Sequence, residues 1–275
     1  MAAIKETIIT KSGLMMVRKI FARKRLPGEK RLSRMEPTIE AVEKLNQRNS
    51  LREMTVKVHN NFGPGDHWLT ITYEGKEPTK EEAKKAIKKY IDHIRRKRKS
   101  AGKEFKWILI TEYQNKRIHH HMLVNNADDF RDLIELWPNG LVRDTPLDST
   151  GDYRKLCEYM HKETSKTFRD PDAPSRLRYT CSRNLIMPAV YREEISAAEV
   201  YEEPAPEKGY YIDPESVYQG ENPFDGRPYV EYVMLPVDKP RTRYNKKTKS
   251  KFKSETHFRW LRNHIDRQTE MDYPF

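Results

Sequence analysis

Trp107-Ile108-Leu109-Ile110-Thr111-Glu112-Tyr113 followed, after four polar residues, by Ile118-His119-His120-His121-Met122-Leu123-Val124 is the stretch that decides the reading. Both runs have strand character, and Gln114-Asn115-Lys116-Arg117 has the length and polarity of a hairpin loop. In a strand, residues i and i+2 share a face while i+1 points away. His119 and His121 therefore share one face, and His120 joins Ile118, Met122 and Val124 on the apolar one. A two-residue turn at Asn115-Lys116 sets Glu112 opposite His119 and Ile110 opposite His121, on one side at roughly 4.5–5.5 Å between Cβ atoms. A three-residue loop would instead move Glu112 to the other face relative to His119.

With the two-residue turn, Glu112, His119 and His121 converge on a sheet face. Two imidazoles and a carboxylate form a divalent-metal site with positions left open for substrate. Mixed nitrogen and oxygen ligation suits Mg²⁺ or Mn²⁺, with Zn²⁺ the weaker alternative. A lone strand histidine is usually a solvated side chain; two at i, i+2 with a facing glutamate call for more.

The hairpin sits inside a longer alternation. Trp68-Leu69-Thr70-Ile71-Thr72-Tyr73 reads as a strand. Thr79 and Glu82 form a capping box that opens a helix with Ala83, Ala86, Ile87, Tyr90, Ile91 and Ile94 at helical spacing. Shorter helices are expected from Asp128 to Leu136 and from about Thr150 to Lys166, with a further strand at Leu177–Arg183. The order β-α-β-β-α-β-α predicts an α+β domain, a mainly antiparallel central sheet with helices packed mostly on one face.

Around it the 275 residues carry a formal charge of +12, with 34% charged residues. That balance points to a polyanionic partner. Residues 1–55 read as a basic N-terminal extension that contains a helix from about Thr38. Residues 56–190 read as the catalytic domain, 191–240 as an acidic linker with a Tyr-rich hairpin, and 241–275 as a basic tail with seven cations between Arg241 and Lys253. The run Arg95-Arg96-Lys97-Arg98-Lys99 ends the first helix. It is either a solvated turn favoured by the helix dipole or a phosphate contact. Arg95, Arg96, Arg98, Arg117, Lys155 and Lys166 are the candidate nucleic-acid contacts. Two cysteines without metal spacing fit a reducing compartment. The absence of a long apolar run or a leader pattern predicts a cytoplasmic protein with no membrane partner. No phosphate-binding glycine loop is present, so no nucleotide cofactor is expected.

The helix beginning near Asp152 holds two tyrosines. At 100° per residue from Tyr153, Leu156 falls at about 300°, Cys157 at about 40° and Met160 at about 340°, so Tyr153 is core. Tyr159 at about 240° and Lys162 at about 180° lie together outside that stripe. Such a tyrosine can be a nucleophile whose phenolate the lysine favours, or simply a side chain covering the helix edge.

Taken in order, Leu69-Thr70-Ile71-Thr72-Tyr73, Glu112 with His119-His120-His121, and Tyr159-Met160-His161-Lys162 resemble the motifs of the HUH endonucleases, in particular rolling-circle replication initiators of plasmids, phages and integrated mobile elements. The likeness covers roughly residues 56–190. It implies a ferredoxin-like or RRM-like fold, with metal ligation by His119, His121 and Glu112 and nucleophilic attack by Tyr159. It also implies a single-stranded origin DNA substrate, a 5′-phosphotyrosine link and a free 3′-OH, with host helicase and polymerase as partners. The chain departs from the family's His-hydrophobic-His in placing His120 at the centre. With one candidate tyrosine, a water or a second subunit would have to finish the cycle. A relaxase or transposase shares this chemistry, while a non-catalytic origin-recognition protein would need none of these groups.

Overall fold

The computed structural model describes residues 3–21, 38–113, 117–126, 130–167 and 179–237, with the side chains of 163–167 excepted. In chain order the elements are β1 (Ala3–Ile9), β2 (Met15–Phe21), α1 (Ile39–Asn61), β3 (His67–Thr72), α2 (Lys80–Ser100), β4 (Trp107–Glu112) and β5 (His119–Val124). Then follow α3 (Phe130–Glu135), β6 (Val142–Pro146), α4 (Arg154–Thr167), β7 (Thr180–Cys181), β8 (Val190–Ile195), β9 (Tyr210–Ile212), β10 (Tyr218–Glu221) and β11 (Pro228–Pro236). The chain divides into two compact units, Asn46–Met187 and Met1–Leu45 with Pro188–Phe275.

The Asn46–Met187 unit is α+β around a five-stranded antiparallel sheet of order β6-β3-β5-β4-β7. Both β3 and β4 run antiparallel to β5, which lies between them. They are therefore parallel to each other and joined by α2, a split β-α-β. The chain repeats the device with β5, α3 and β6 around β3. Helix α2 begins where the capping box places it: Thr79 Oγ1 accepts from Glu82 N–H at 3.2 Å and the Glu82 carboxylate accepts from Thr79 N–H at 2.8 Å. Its buried Ile87, Tyr90, Ile91 and Ile94 pack with Leu69, Ile71, Leu109, Met122 and Trp137 on one face of the sheet.

The other face is covered as well, which corrects the expectation of helices mostly on one side. Met54, Val58 and Phe62 from the α1 segment, with Tyr153, Cys157 and Met160 of α4, pack against Ile108, Ile110 and Leu123. Each strand here is buried on both faces, so its sequence runs nearly continuously apolar and does not show how many layers cover it. At the β3 edge, Gly140 lets the chain press against its neighbour. Its φ is +158°, and a Cβ there would meet the Thr72 carbonyl and lie 2.7 Å from Glu74 N.

The second unit corrects the reading of residues 1–55 as an extension and of 191–240 as a linker. β1, β2, β8, β10 and β11 form a sheet of order β10-β11-β2-β1-β8, with β9 added to β11. The charges that gave these stretches a surface appearance are paired across strands. Arg192 Nε donates to Glu6 at 2.9 Å, and Arg18 is ion-paired with Glu231, both pairs standing in cross-strand register. Lys5 reaches Glu207 at 2.6 Å. Turn residues 114–116, the start of the expected helix at Asp128, the Leu177 end of the last strand and the tail 241–253 lie outside the described residues.

Candidate metal centre and its tyrosine

The β4–β5 register pairs Glu112 with His119 and Ile110 with His121, as a tight hairpin requires. The pleat then turns both imidazoles and the carboxylate to the α4 side. Glu112 Oε2 lies 3.2 Å from His119 Nε2 and Glu112 Oε1 lies 3.2 Å from His121 Nε2. Among the described residues this is the only group of three with donor atoms, one from each, all within 4.8 Å of one another. Burial pushes the Glu112 pKa up, but hydrogen bonds from His119, His121 and Tyr159 outweigh it and hold the carboxyl well below the usual range. Glu112 is thus an anion beneath the surface.

The remaining ring nitrogens decide what that anion faces. His119 Nδ1 sits 2.9 Å from the Arg117 carbonyl oxygen, an obligatory acceptor, so Nδ1 carries the hydrogen. In a neutral ring this leaves a lone pair on Nε2 aimed at a carboxylate oxygen. Only a cation, a proton or a metal ion, reconciles the two. His121 Nδ1 is engaged by Thr70 Oγ1 at 3.2 Å, again leaving Nε2 for the centre. Outer partners that fix the tautomer of ligating histidines are the usual support of metal sites. The donor separations also suit neighbouring ligands of one ion, about 3.0 Å apart for octahedral coordination at Mg²⁺ distances. Glu112, His119 and His121 therefore fit a divalent cation. The donor set does not choose which one.

His120 faces the opposite way and is fully buried. Its Nε2 lies 2.8 Å from Tyr73 Oη and its Nδ1 2.8 Å from Thr111 Oγ1. Burial first, then the neighbouring His119 and His121, pull its pKa down to about 3, so it stays neutral at physiological pH. It is a core group with two satisfied nitrogens.

Tyr159 completes the site from α4. Its hydroxyl donates to Glu112 Oε1 at 3.0 Å and stands 3.1 Å from His121 Nε2, while 38% of the residue remains exposed. Tyr153 is 4% exposed, as the helical angles require. Lys162 is exposed one turn beyond Tyr159, and exposed Lys155 precedes it by four residues, so all three lie on one side of α4. Position 166 continues that side, although the Lys166 side chain is not described. Arg117 is exposed beside the centre and bonds the Gly75 carbonyl at 2.6 Å.

The α2 cations lie on the other face of the sheet. Arg95 is ion-paired with Asp92, and Arg96 bonds the Asp92 carbonyl at 3.3 Å. Arg98 is a correction. It is 1% exposed, bonded to Asn125 Oδ1 at 2.9 Å and placed over the Phe105 ring, so it braces the α2–β5 junction and offers nothing to a phosphate.

Three contributors were missed by the sequence reading. Trp68 stacks on His121 at 5.1 Å with a 6° interplanar angle and meets Tyr159 edge-on at 6.4 Å. Thr70 orients His121. Buried His59 fixes α4: its Nδ1 bonds the Thr55 carbonyl at 2.8 Å, and its Nε2 accepts from the Tyr153 N–H at 2.9 Å. For Trp68 and Thr70 the signal was strand alternation, which puts positions 68 and 70 on one face of β3.

A rigid antiparallel sheet carrying a two-histidine, one-carboxylate centre opposite a helix-borne tyrosine defines the class of site. Residues 66–167 match the family model of the replication-associated protein ORF2. The match runs from β3 to the end of α4 and takes in Glu112, His119, His121 and Tyr159. No curated protein and no solved structure matches the chain. No helix among the described residues is long and apolar enough to cross a membrane.

Proposed function

We propose that the chain initiates rolling-circle replication by nicking single-stranded origin DNA with Tyr159. The observation that carries this reading is the 3.0 Å contact between the Tyr159 hydroxyl and Glu112, which joins a phenol to the one cation-ready cluster among the described residues. The match of residues 66–167 to a replication-associated family supports the DNA context.

Glu112, His119 and His121 would hold Mg²⁺ or Mn²⁺, and such an ion supplies Lewis-acid polarisation of a bound phosphodiester. The chain's own groups do the rest. Trp68 and Thr70 hold His121 in place, and the α4 packing holds Tyr159 at the mouth. Lys162 favours the phenolate, with the phenol proton lost to solvent. The phenolate oxygen forms a bond to phosphorus as the bond from phosphorus to the 3′ oxygen breaks. One strand end is then a 5′-phosphotyrosine and the other, after protonation by solvent, a 3′-OH that can prime a host polymerase. A host helicase would open the duplex beyond the nick. Phosphodiester energy is conserved in the phosphotyrosine, so rejoining needs no nucleotide cofactor. Lys155, Lys162 and Arg117 would contact the incoming strand.

The test is incubation of the protein with labelled single-stranded DNA from its own replicon and Mn²⁺, followed by a denaturing gel. A covalent adduct that maps to Tyr159 is expected. Cleavage without an adduct, or an adduct elsewhere, overturns the assignment. A relaxase or transposase would give the same adduct and is distinguished by whether the nicked end primes synthesis.

A further inference from the structure

Away from the metal centre, on the α2 face of the sheet, a cavity of about 380 Å³ opens between α2 and the β4–β7 edge. Its floor is aliphatic, built by Ile87, Leu109 and Ile118, which are each 5–7% exposed. Cations rim it at helical spacing: Lys80, Lys84 and Lys88 stand one turn apart along α2, with Arg95 beyond them, against the single carboxylate Asp92. Trp107 lines the cavity and is 8% exposed, and its indole N–H is buried with no hydrogen-bond partner. A buried donor left unpaired costs roughly the desolvation of that group, so such a donor marks a place where an acceptor is missing.

We propose that this cavity is a docking site for an acidic peptide segment of a partner protein, which seats one large apolar side chain on the Ile87–Leu109–Ile118 floor. The volume lies within the range of about 300–1,000 Å³ typical of ligand clefts. Acidic side chains flanking the anchor meet the lysine rim, and a peptide carbonyl beside it can accept from Trp107. Single-stranded DNA fits less well. Sequence-tolerant DNA grooves depend on aromatic faces for base stacking. Here the floor is aliphatic, and the Tyr113 ring is covered by the Lys80 ammonium at 4.4 Å. The proposal uses none of the groups assigned to phosphodiester chemistry and stands whether or not that chemistry is confirmed.

The test is selection from a displayed library of ten-residue peptides, acidic at all positions except one or two that carry Phe, Trp, Leu or Ile, on the full chain and on its Lys84→Gln/Lys88→Gln variant. Both lysines are exposed, so the variant should fold, and circular dichroism checks this. The expected result is enrichment on the wild type of peptides with one bulky apolar residue between acidic ones. By fluorescence anisotropy these peptides should lose on the order of tenfold in affinity for the variant. Replacing the apolar anchor by Ser should abolish binding, and DNA nicking should be unchanged in the variant. No peptide enriched on the wild type over the variant overturns the proposal. So does an oligothymidylate that binds with the same dependence on Lys84 and Lys88, which would assign the cleft to DNA.

Discussion

The hydroxyl of Tyr159 donates to Glu112 Oε1 at 3.0 Å across 47 positions of sequence. This contact ties α4 to the β4–β5 hairpin at the point where the two imidazoles converge. It also fixes what a substrate must do, since a phosphate entering the centre has to displace the phenol from the carboxylate.

Tyr159→Phe removes one oxygen and should eliminate the covalent adduct while leaving Mn²⁺ binding and the fold in place. Tyr153→Phe is the control. It loses a 3.0 Å hydrogen bond to the Asp148 carbonyl and should cost about 1 kcal/mol of stability while keeping the adduct. Gel assay and urea unfolding on both variants check this, and an adduct that survives Tyr159→Phe rules the assignment out.

Metal affinity should follow the order of contact. His119→Ala and His121→Ala each remove a donor and should abolish Mn²⁺ binding measured by calorimetry. Thr70→Val removes only the group that orients His121, so it should weaken binding by about 10–100-fold. Unchanged Mn²⁺ binding in both histidine variants would show that the cation reconciling His119 with Glu112 is only a proton.

The two-residue-turn reading of the hairpin was legible because a tight turn fixes register locally, and the face of Tyr159 was legible because helical periodicity depends only on neighbours. Thr70 and His121 are 51 positions apart. No short turn sets the β3–β5 register, so the partner of His121 could not be read. The same holds more strongly for β2 and β11, where Arg18 and Glu231 are separated by 213 positions. There, paired charges inside strands resembled the solvated charges of a tail. Arg98 is a different failure. It follows Ile91 and Ile94 at helical spacing and so belongs to the buried stripe, but five consecutive cations drew attention to charge and away from period.

His120→Leu should separate packing from ligation. The substitution leaves Thr111 Oγ1 without its partner, while Tyr73 keeps the Ala83 carbonyl at 3.2 Å. Stability should fall by about 1–3 kcal/mol, with Mn²⁺ affinity retained. Loss of metal binding in a folded His120→Leu protein would mean that the ligand set is misassigned.

The anchoring of α4 should be sensitive to acid. Burial raises the pKa of Asp152, but bonds from Arg154, including one at 2.7 Å, and from His59 more than offset it and leave the group well below its ordinary value. A depressed carboxylate pKa contributes stability that is fully present above the unfolded value of about 3.9 and is lost as pH falls from there toward the folded value. Asp152→Asn should therefore lower stability at pH 7 and flatten its decline between about pH 5 and pH 2. Urea titrations of both proteins across that window provide the measurement. An equally steep decline in the variant would place the acid sensitivity elsewhere.

Lys155 and Lys162 share the Tyr159 side of α4, and both are exposed. If that side guides a single strand to the phenol, each lysine neutralises a phosphate and releases a counterion. Lys155→Gln/Lys162→Gln should then reduce the slope of log K against log salt by about 1.4, at about 0.7 per phosphate contact on single strands. Arg95→Gln/Arg96→Gln, on the other face of the sheet, should alter the slope less. Cleavage at saturating protein should be slowed by the first pair, because Lys162 also acts on the phenolate, and left intact by the second. Anisotropy at four or five salt concentrations gives the slopes. A larger change from the α2 pair than from the α4 pair would move the DNA path to the α2 face and would also count against a peptide in the cleft there.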